Sequence, residues 1–491
     1  MNNSVAEATG TQSRLSTSAT GVQKGPSPWA LWAAGVQKGP SPWALHKFPT
    51  IAYNSKDMII LWLCNMLPPM VAEKLHRQSS VKEGWITGAL NRMIRAEAGV
   101  DATKLCILYP VSDASEVKDE TAVLEGGFEV RCFGFYEDCR QPHNYSSTME
   151  SRFEKVVSML KPDVIHCFGT EYGHTLAMTR VAHRLGVIDR VLIGLQGLIS
   201  ECGACYSVDL PEEVRHGWTF RDLVRRDNVA QQQAKFLERG EFEKEALELA
   251  CNVTGRTDWD HDVVNKINPK LRYFFMNETL RDDFYEGTWD ITGVEKHSIF
   301  VCQCDYPLKG FHVLLEAMPA IIERFPDAHI YVAGNNICAD ATLKDRLKIS
   351  TYGRYLRNLM RTYHLEDKVT YLGRLDAASM KKRLLLSHTA VCPSILENSP
   401  NSVGEAMILG VPVVASRTGG IPSILTEGEE GLLFEVGNSS GLSGDVIKIW
   451  SDDAFATEMS ASEIARARVT HNGDTNYNRL LEIYKELCQP T

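Results

Sequence analysis

The sequence contains no apolar run long enough to cross a membrane. A membrane-spanning helix needs about 20 consecutive apolar residues, and the best candidate, Met58–Met70, is shorter and is interrupted by Asn65, Pro68 and Pro69. The N-terminus is polar and lacks the apolar core of a signal peptide. We therefore expect a cytoplasmic protein, and a peripheral contact with the inner face of the membrane stays open as an alternative.

The sequence also has fewer positively charged than negatively charged side chains. The chain has 52 lysines and arginines against 62 aspartates and glutamates, which gives a net charge of −10. This balance argues against broad, sequence-independent binding of nucleic acid. A basic run at residues 215–226 could meet an anionic acceptor or a membrane surface. Acidic residues are interleaved with its arginines, however, and this pattern favours a solvated helix face.

Complete metal-binding patterns are missing as well. The 13 cysteines lie mostly in apolar runs, which suits reduced thiols in a core better than a disulfide framework. Cys202 and Cys205 have the spacing of a metal or redox motif, but no second pair and no nearby pair of histidines completes a zinc site. We find no Asp-x-Asp placed after a predicted strand so as to hold a metal ion. The sequence therefore predicts no metal site and no permanently bound cofactor.

The first 54 residues contain an exact duplication. The segment GVQKGPSPWAL occurs at Gly21–Leu31 and again at Gly35–Leu45. Repeat architectures need units of about 20–50 residues that stack on one another, so this short copy does not predict one. We interpret residues 1–54 as a disordered or artefactual tail, with an interaction tail carrying Trp29 and Trp43 as the alternative.

From residue 55 onward, short apolar segments alternate with segments of helical periodicity. The alternation predicts an α/β fold with two doubly wound, Rossmann-like domains that face each other across a cleft. We assign residues 55–290 to the first domain, 291–470 to the second, and 471–491 to a terminal helix that packs back on the first. Predicted strands cover residues 58–64, 104–110, 128–135, 163–169, 190–196, 248–255, 298–304, 329–334, 368–373, 388–394 and 411–416. The clearest predicted helix begins at Phe311.

The segment Pro393–Pro422 is the most informative one. Its sequence, PSILENSPNSVGEAMILGVPVVASRTGGIP, predicts a strand, a loop with Glu397, and a helix that starts at residues 400–402 and carries Glu405 one turn later. Free amides at a helix start suit a diphosphate, and carboxylates accept hydrogen bonds from sugar hydroxyls. Together they suggest a nucleotide-sugar site. The alternative is that both glutamates are simply solvated.

The spacing Glu397-x7-Glu405, followed by AMILGVPVVASRTGGIPSIL, resembles glycosyltransferase family 4, the retaining glycosyltransferases with the GT-B fold. The resemblance extends over about residues 57–488. It implies that Glu397 contacts the donor sugar and that Glu405 holds the ribose hydroxyls. It also implies that the backbone amides around Asn401, Ser402 and Val403 face the donor phosphates.

The segment FVCQCDYPLKGFH resembles the part of the family in which an arginine and a lysine, six residues apart, hold the diphosphate. Lys309 matches the lysine, but the arginine position is occupied by Gln303, which carries no charge. Arg374, after a later strand, either compensates for this difference or is a surface residue.

The first domain supplies four further candidates. His174, at a predicted helix start, is the polar candidate near the transferred sugar, because the family's histidine position holds Phe168 here. Gly84 lies in a turn that resembles the family's glycine-containing loop near donor and acceptor. Arg256 and Asp258 have either a role in the site or a role at a helix start.

The resemblance implies a retaining, metal-independent hexosyltransferase, with a UDP-sugar as the expected donor. The acceptor would be a hydroxyl of a glycan, a lipid-linked sugar or a small molecule, and the catalytic residues would be Glu397, Lys309 and His174. A sugar-nucleotide epimerase with the same fold is one alternative. The other is a non-catalytic subunit of a glycosylation complex, which the departures at Gln303 and Phe168 keep open.

Overall fold

The computed structural model describes residues 58–77, 84–97 and 103–489. The predicted tail at residues 1–54, which contains both copies of the duplicated segment, lies outside the described residues. Glu83, in the turn before Gly84, also lies outside them. Two separate β-sheets organise the described part of the chain, one before and one after residue 290.

The first sheet has eight strands in the order β3-β4-β2-β1-β5-β6-β7-β8. All pair in parallel except β3, which runs antiparallel to β4. Parallel strands covered on both faces are continuously apolar, and β5, with the sequence VIHCF, is buried at every position. The strands are β1 (Met58–Leu63), β2 (Thr103–Val111), β3 (Asp119–Val123), β4 (Glu129–Tyr136), β5 (Val164–Phe168), β6 (Val191–Gly194), β7 (Asn252–Gly255) and β8 (Arg272–Phe275).

The helices of this part lie between those strands. They are α1 (Pro69–Lys74), α2 (Gly84–Glu97), α3 (Thr148–Leu160), α4 (Gly173–Arg184), α5 (Ile199–Cys205), α6 (Glu212–Arg215), α7 (Phe220–Arg225), α8 (Val229–Leu249) and α9 (Asp258–Ile267). The longest, α8, begins with a capping box in which the Asn228 and Gln231 side chains each bond the other's backbone N–H.

The second sheet has six parallel strands in the order β11-β10-β9-β12-β13-β14. This is the order of a Rossmann fold, in which the strand sequence reverses direction between the two central strands and leaves a crevice at their carboxyl ends. Here those strands are β9 and β12. The strands are β9 (Glu295–Val301), β10 (His329–Ala333), β11 (Val369–Gly373), β12 (Ser387–Cys392), β13 (Val413–Ser416) and β14 (Leu432–Phe434).

Nine described α-helices lie between and after these strands, and the last one packs against the core of the first sheet. Leu480, Ile483 and Tyr484 belong to the core that includes β1, and the Trp62 indole N–H donates to the Tyr484 hydroxyl at 3.0 Å. The helices are α10 (Phe311–Arg324), α11 (Leu343–Lys348), α12 (Thr351–Thr362), α13 (Ala377–Leu386), α14 (Asn401–Leu409), α15 (Ile421–Ile424), α16 (Ser439–Ser451), α17 (Asp453–Thr470) and α18 (Gly473–Leu487).

The predicted α/β class with two doubly wound sheets is confirmed. The strand predicted at residues 248–255 is wrong at its start, because helix α8 continues to Leu249 and strand β7 begins only at Asn252. Strands β3, β8 and β14 were not predicted. Each has only three to five residues, too few for a clear periodic pattern. None of the described helices is both long and apolar enough to span a bilayer.

Candidate functional site

A cleft of about 820 Å³ opens at the carboxyl ends of β9 and β12. It lies where the strand order of the second sheet reverses, which is the usual ligand position in such sheets. Its volume falls in the range of small-molecule sites. The lining includes Gln303 and Lys309 after β9, Arg374 after β11, and Ser394 and Glu397 after β12.

A close backbone approach joins the loops that follow β9 and β12. Gly310 has φ of 62°, and a Cβ built on it would lie 1.8 Å from the Pro393 carbonyl oxygen. The Leu308 carbonyl also accepts a hydrogen bond of 2.7 Å from the Ile395 N–H. Only glycine fits such a position without strain. The glycine after Lys309 thus allows the two loops that carry the cleft's polar groups to meet.

Lys309 and Glu397 form an ion pair inside the cleft. The Lys309 Nζ donates to Glu397 Oε1 at 2.5 Å, and the Ser394 hydroxyl donates to the same oxygen at 2.9 Å. Burial alone would lower the pKa of Lys309, but the Glu397 carboxylate outweighs it and holds that pKa well above its usual value. Lys309 is therefore a fixed positive charge on the floor of the cleft.

Glu405 is buried in the first turns of α14 and faces Arg281. The Arg281 Nε and Nη2 lie 2.9 Å and 2.7 Å from Glu405 Oε1. Burial raises the pKa of Glu405 to about 7, and the Arg281 charge opposes that rise. Arg281 also lines the cleft. Nothing in the sequence singles out Arg281, because an isolated arginine in the segment between two domains follows no pattern.

The start of α14 contributes to the cleft through Asn401 and Ser402, which both line it. The first amides of a helix have no acceptor within the helix. Val403 is placed differently, because its side chain is buried and its N–H donates to the Pro400 carbonyl at 3.0 Å. Arg374 lines the rim and is exposed.

His174 is not among the residues that line this cleft. Its ring is fully buried at the start of α4, where Nδ1 is 2.6 Å from a Glu137 carboxylate oxygen and Nε2 is 3.0 Å from Asn65 Oδ1. Both ring nitrogens are therefore engaged by groups that follow β4 and β1. The structure does not bring His174 together with Lys309 and Glu397.

Arg256 lines a second, smaller cavity at the carboxyl ends of β5–β8, together with His166 and Phe168. It forms an ion pair with Glu278, and burial lowers its pKa to about 10. Asp258 is the first residue of α9. Gly84 is the first residue of α2.

The loop with Glu397 is also fixed from the first domain. The Thr257 hydroxyl donates to Asn398 Oδ1 at 2.8 Å, and Asn398 Nδ2 donates to the Gln196 carbonyl at 3.3 Å. Asn398 is almost fully buried. Asn398 was not predicted as a site residue, although it directly follows Glu397.

Metal ligands are not grouped in the part of the chain that the structure describes. No cluster there has three or more His, Cys, Asp or Glu side chains that could hold a metal ion. Cys202 and Cys205 lie in α5. These two and the other cysteines are free thiols.

Comparison with known proteins gives the cleft a context. Residues 292–468, which include β9–β14, match the family described as "Glycosyl transferases group 1". Over 321 residues, the chain is 25% identical to an uncharacterized glycosyltransferase of Methanocaldococcus jannaschii, covering 64% of this chain and 74% of that protein.

Another relative is a phosphatidyl-myo-inositol mannosyltransferase of Mycobacterium leprae. It is 28% identical over 194 residues, which is 39% of this chain and 47% of the mannosyltransferase. The match thus spans less than half of that relative.

Solved structures share the arrangement of both sheets. A sucrose-phosphate synthase from Thermosynechococcus elongatus superposes with a TM-score of 0.62 over 88% of this chain and 99% of its own, at 15% identity. Anabaena HepE in complex with UDP and glucose has a TM-score of 0.55 over 87% of this chain and 99% of its own, at 16% identity. At these identities the likeness shows the fold, which is the predicted GT-B fold.

Proposed function

We propose that this protein is a retaining glycosyltransferase that moves a hexose from a nucleotide-diphosphate sugar to an acceptor hydroxyl. The observation that carries the proposal is the Lys309–Glu397 pair beside the start of α14, at the strand reversal of a group 1 domain. A UDP-sugar is the proposed donor, and UDP in the HepE complex is consistent with it. The retaining outcome rests on the resemblance to glycosyltransferase family 4.

The pair suits a charged leaving group. Departure of the sugar leaves negative charge on the diphosphate, and fixed positive groups in a partly water-excluded cleft stabilise that charge without reorganising. Lys309 supplies one such group. Amides at the start of α14, near Asn401 and Ser402, supply others.

Lys309 can serve the diphosphate without releasing Glu397, because an ammonium group has three N–H donors. One is directed at Glu397 Oε1, which leaves the second oxygen of that carboxylate to accept from a sugar hydroxyl. Glu405 is the proposed acceptor for the ribose hydroxyls. The proposed roles thus agree with the charges present in the cleft and require no metal ion.

Arg281 is the proposed second cation, in place of the arginine that Gln303 replaces. Burial raises the pKa of the neighbouring Cys302 thiol to about 11, and the charges of Lys309 and Arg281 both oppose that rise. Both cations therefore lie near Cys302, the residue that directly follows β9. Arg281 is mostly buried and bonds Glu405, whereas Arg374 is exposed. The guanidinium group of Arg281 is therefore held in place more firmly than that of Arg374.

The acceptor would enter on the side of the first domain, and its identity is open among a glycan, a lipid-linked sugar and a small molecule. Arg256, His174 and Gly84 remain proposals for that side, and Val403 one for the donor phosphates. A cytoplasmic location with a peripheral membrane contact belongs to the same proposal. Asn398, held by Thr257 and Gln196, connects the acceptor side to the loop with Glu397.

The test is a panel of UDP-, GDP- and ADP-sugars, screened first by thermal stabilisation, since a ligand of the folded state raises the melting temperature. The stabilising donor is then incubated with acceptors, and both transfer and donor hydrolysis are measured. We expect activity in the wild type and a loss in Lys309→Ala and Glu397→Ala. Unchanged activity in both variants would contradict the site assignment.

The two alternatives give different results in the same experiment. An epimerase would convert the sugar without an acceptor and without releasing nucleotide. A non-catalytic subunit would bind the nucleotide sugar in calorimetry and show no turnover with any acceptor. The group 1 domain favours the transferase over both.

A further inference from the structure

Two short helices from different domains expose apolar side chains next to each other. Helix α7 lies in the first domain and α11 in the second, and the two pack together. Six side chains on and before these helices are 46–74% exposed: Trp218, Phe220, Leu223, Val224, Leu343 and Leu347. Single exposed apolar residues are ordinary, but a group of this size on one surface indicates an interaction site.

Exposed cations surround this group. Arg225 and Arg226 lie at the end of α7, and Lys344 and Lys348 lie on α11. Among the residues that the structure describes, none of these four side chains has an ion-pair partner. We call the six apolar and four basic side chains the apolar–basic patch.

The carboxylates of these helices are used internally. Asp222 is fully buried and accepts from the Thr351 N–H at 2.8 Å, which ties α7 to the start of α12. Asp227 pairs with Arg221. Asp345 bonds the Thr342 N–H at 3.1 Å in the capping box of α11.

This arrangement corrects the interpretation of the basic run. Acidic residues interleave with the arginines in the sequence, which favoured a solvated face of mixed charge. In the folded chain, Asp222 and Asp227 bond within the protein while Arg225 and Arg226 face solvent. The exposed surface is therefore cationic and apolar.

We propose that the apolar–basic patch docks the protein on the surface of a bilayer that contains anionic lipids. Exposed aromatic and aliphatic side chains enter the boundary between headgroups and acyl chains, and cations beside them attract lipid phosphates. The patch matches both features. A second copy of the chain that presents the same patch does not fit it, because the two patches would bring eight cations together without any opposing carboxylate. The patch gives the peripheral membrane contact of the proposed function a specific surface, and vesicle binding is measured without any glycosyltransferase activity.

The test is sedimentation of the full chain with phosphatidylcholine vesicles, with and without added phosphatidylglycerol. We expect binding only to the anionic vesicles, and weaker binding as salt rises. Replacing both Lys344 and Lys348 with Gln should weaken binding, by roughly fivefold for each cation removed. The matched control is Lys266→Gln with Lys270→Gln, which removes two exposed lysines from the α9 region and should leave binding unchanged.

The apolar half is tested by Phe220→Ser with Leu223→Ser. We expect at least about a tenfold loss of binding to the anionic vesicles. Val469→Ser changes a 65% exposed valine of α17 and serves as the control. Melting temperatures of all variants show that each is folded.

Three results of the vesicle experiments would overturn the proposal. The first is no binding to either kind of vesicle. The second is binding that the patch variants and the control variants reduce equally. The third is equal binding to neutral and anionic vesicles. Concentration-dependent self-association that the patch variants abolish, without vesicle binding, would also overturn it and would assign the patch to a second copy of the chain.

Discussion

Lys309 Nζ lies 2.5 Å from Glu397 Oε1, although 88 residues separate the two in the sequence. The loops after β9 and β12 bring them together, because these strands are neighbours in the sheet. The pair therefore depends on the parallel topology and on the contact that Gly310 allows between the loops.

Removing the charge of Lys309 should weaken nucleotide binding. We expect Lys309→Ala to raise the Kd for UDP by about 10- to 100-fold, since one charge-assisted hydrogen bond contributes about 1.5–3 kcal/mol. Isothermal titration calorimetry measures the effect. Lys266→Ala, which removes an exposed lysine from α9, is the control and should leave the Kd unchanged. A wild-type Kd in Lys309→Ala would mean that the phosphates bind elsewhere.

Arg281 should carry part of the phosphate affinity that an arginine at position 303 would otherwise supply. We expect Arg281→Ala to raise the Kd for UDP by about tenfold or more. Arg374→Ala, which removes an exposed cation from the same cleft, should have a smaller effect. The informative variant is Arg281→Ala combined with Gln303→Arg, which should recover part of the lost affinity.

The opposite outcome has a clear meaning as well. Arg281 bonds Glu405, the proposed acceptor for the ribose. Tighter binding of UDP in Arg281→Ala would show that the arginine blocks Glu405 rather than assisting the phosphates. The compensation proposal would then fail, while the Lys309 result would still stand on its own.

The sequence predicted those parts of the site that sit in local motifs. Glu397 and Glu405 are eight positions apart, in a loop after a strand and in the helix that follows it. Lys309 precedes the glycine at the N-cap of a helix. Each of the three residues therefore has a local pattern. Arg281 and Asn398 depend on contacts with distant residues, and no spacing reveals them. His174 illustrates the reverse case, because its helix start was predicted but its partners, Glu137 and Asn65, lie in the loops after two other strands.

Glu405 should make the stability of the chain depend on pH. Its pKa rises from 4.5 to about 7 on folding, mainly through burial. A carboxyl group with a raised pKa adds stability that is fully present below pH 4.5 and is lost as the pH rises to about 7. This difference in pKa corresponds to a loss of about 3 kcal/mol in the free energy of unfolding over that pH range. Glu405→Gln stays neutral, so its unfolding free energy should decrease less than that of the wild type over this range.

Urea unfolding at several pH values measures this difference. Other buried carboxyls change the stability of both proteins alike, so only the difference between variant and wild type is informative. Glu458→Gln, which changes an exposed residue of α17, should follow the wild-type curve. A constant difference between Glu405→Gln and wild type at every pH would show that the Arg281 contact keeps Glu405 ionised throughout.

Gly310 provides the sharpest test of how the cleft is assembled. Its φ of 62° resembles the 68° of Gly186, but a Cβ at Gly310 would lie 1.8 Å from the Pro393 oxygen, whereas a Cβ at Gly186 would have no described heavy atom within 4 Å. Gly186→Ala should therefore cost about 1–2 kcal/mol, from backbone conformation alone. Gly310→Ala should cost a further 1–3 kcal/mol or so, because the loops must separate.

That separation should also be visible in ligand binding. If the loops after β9 and β12 move apart, Lys309 moves away from Glu397, and the Kd for UDP should rise in Gly310→Ala but not in Gly186→Ala. Denaturant unfolding and calorimetry on the two variants give the stability and the affinity separately. Equal losses of stability, with UDP affinity unchanged in both, would show that the contact at Pro393 does not position the ion pair.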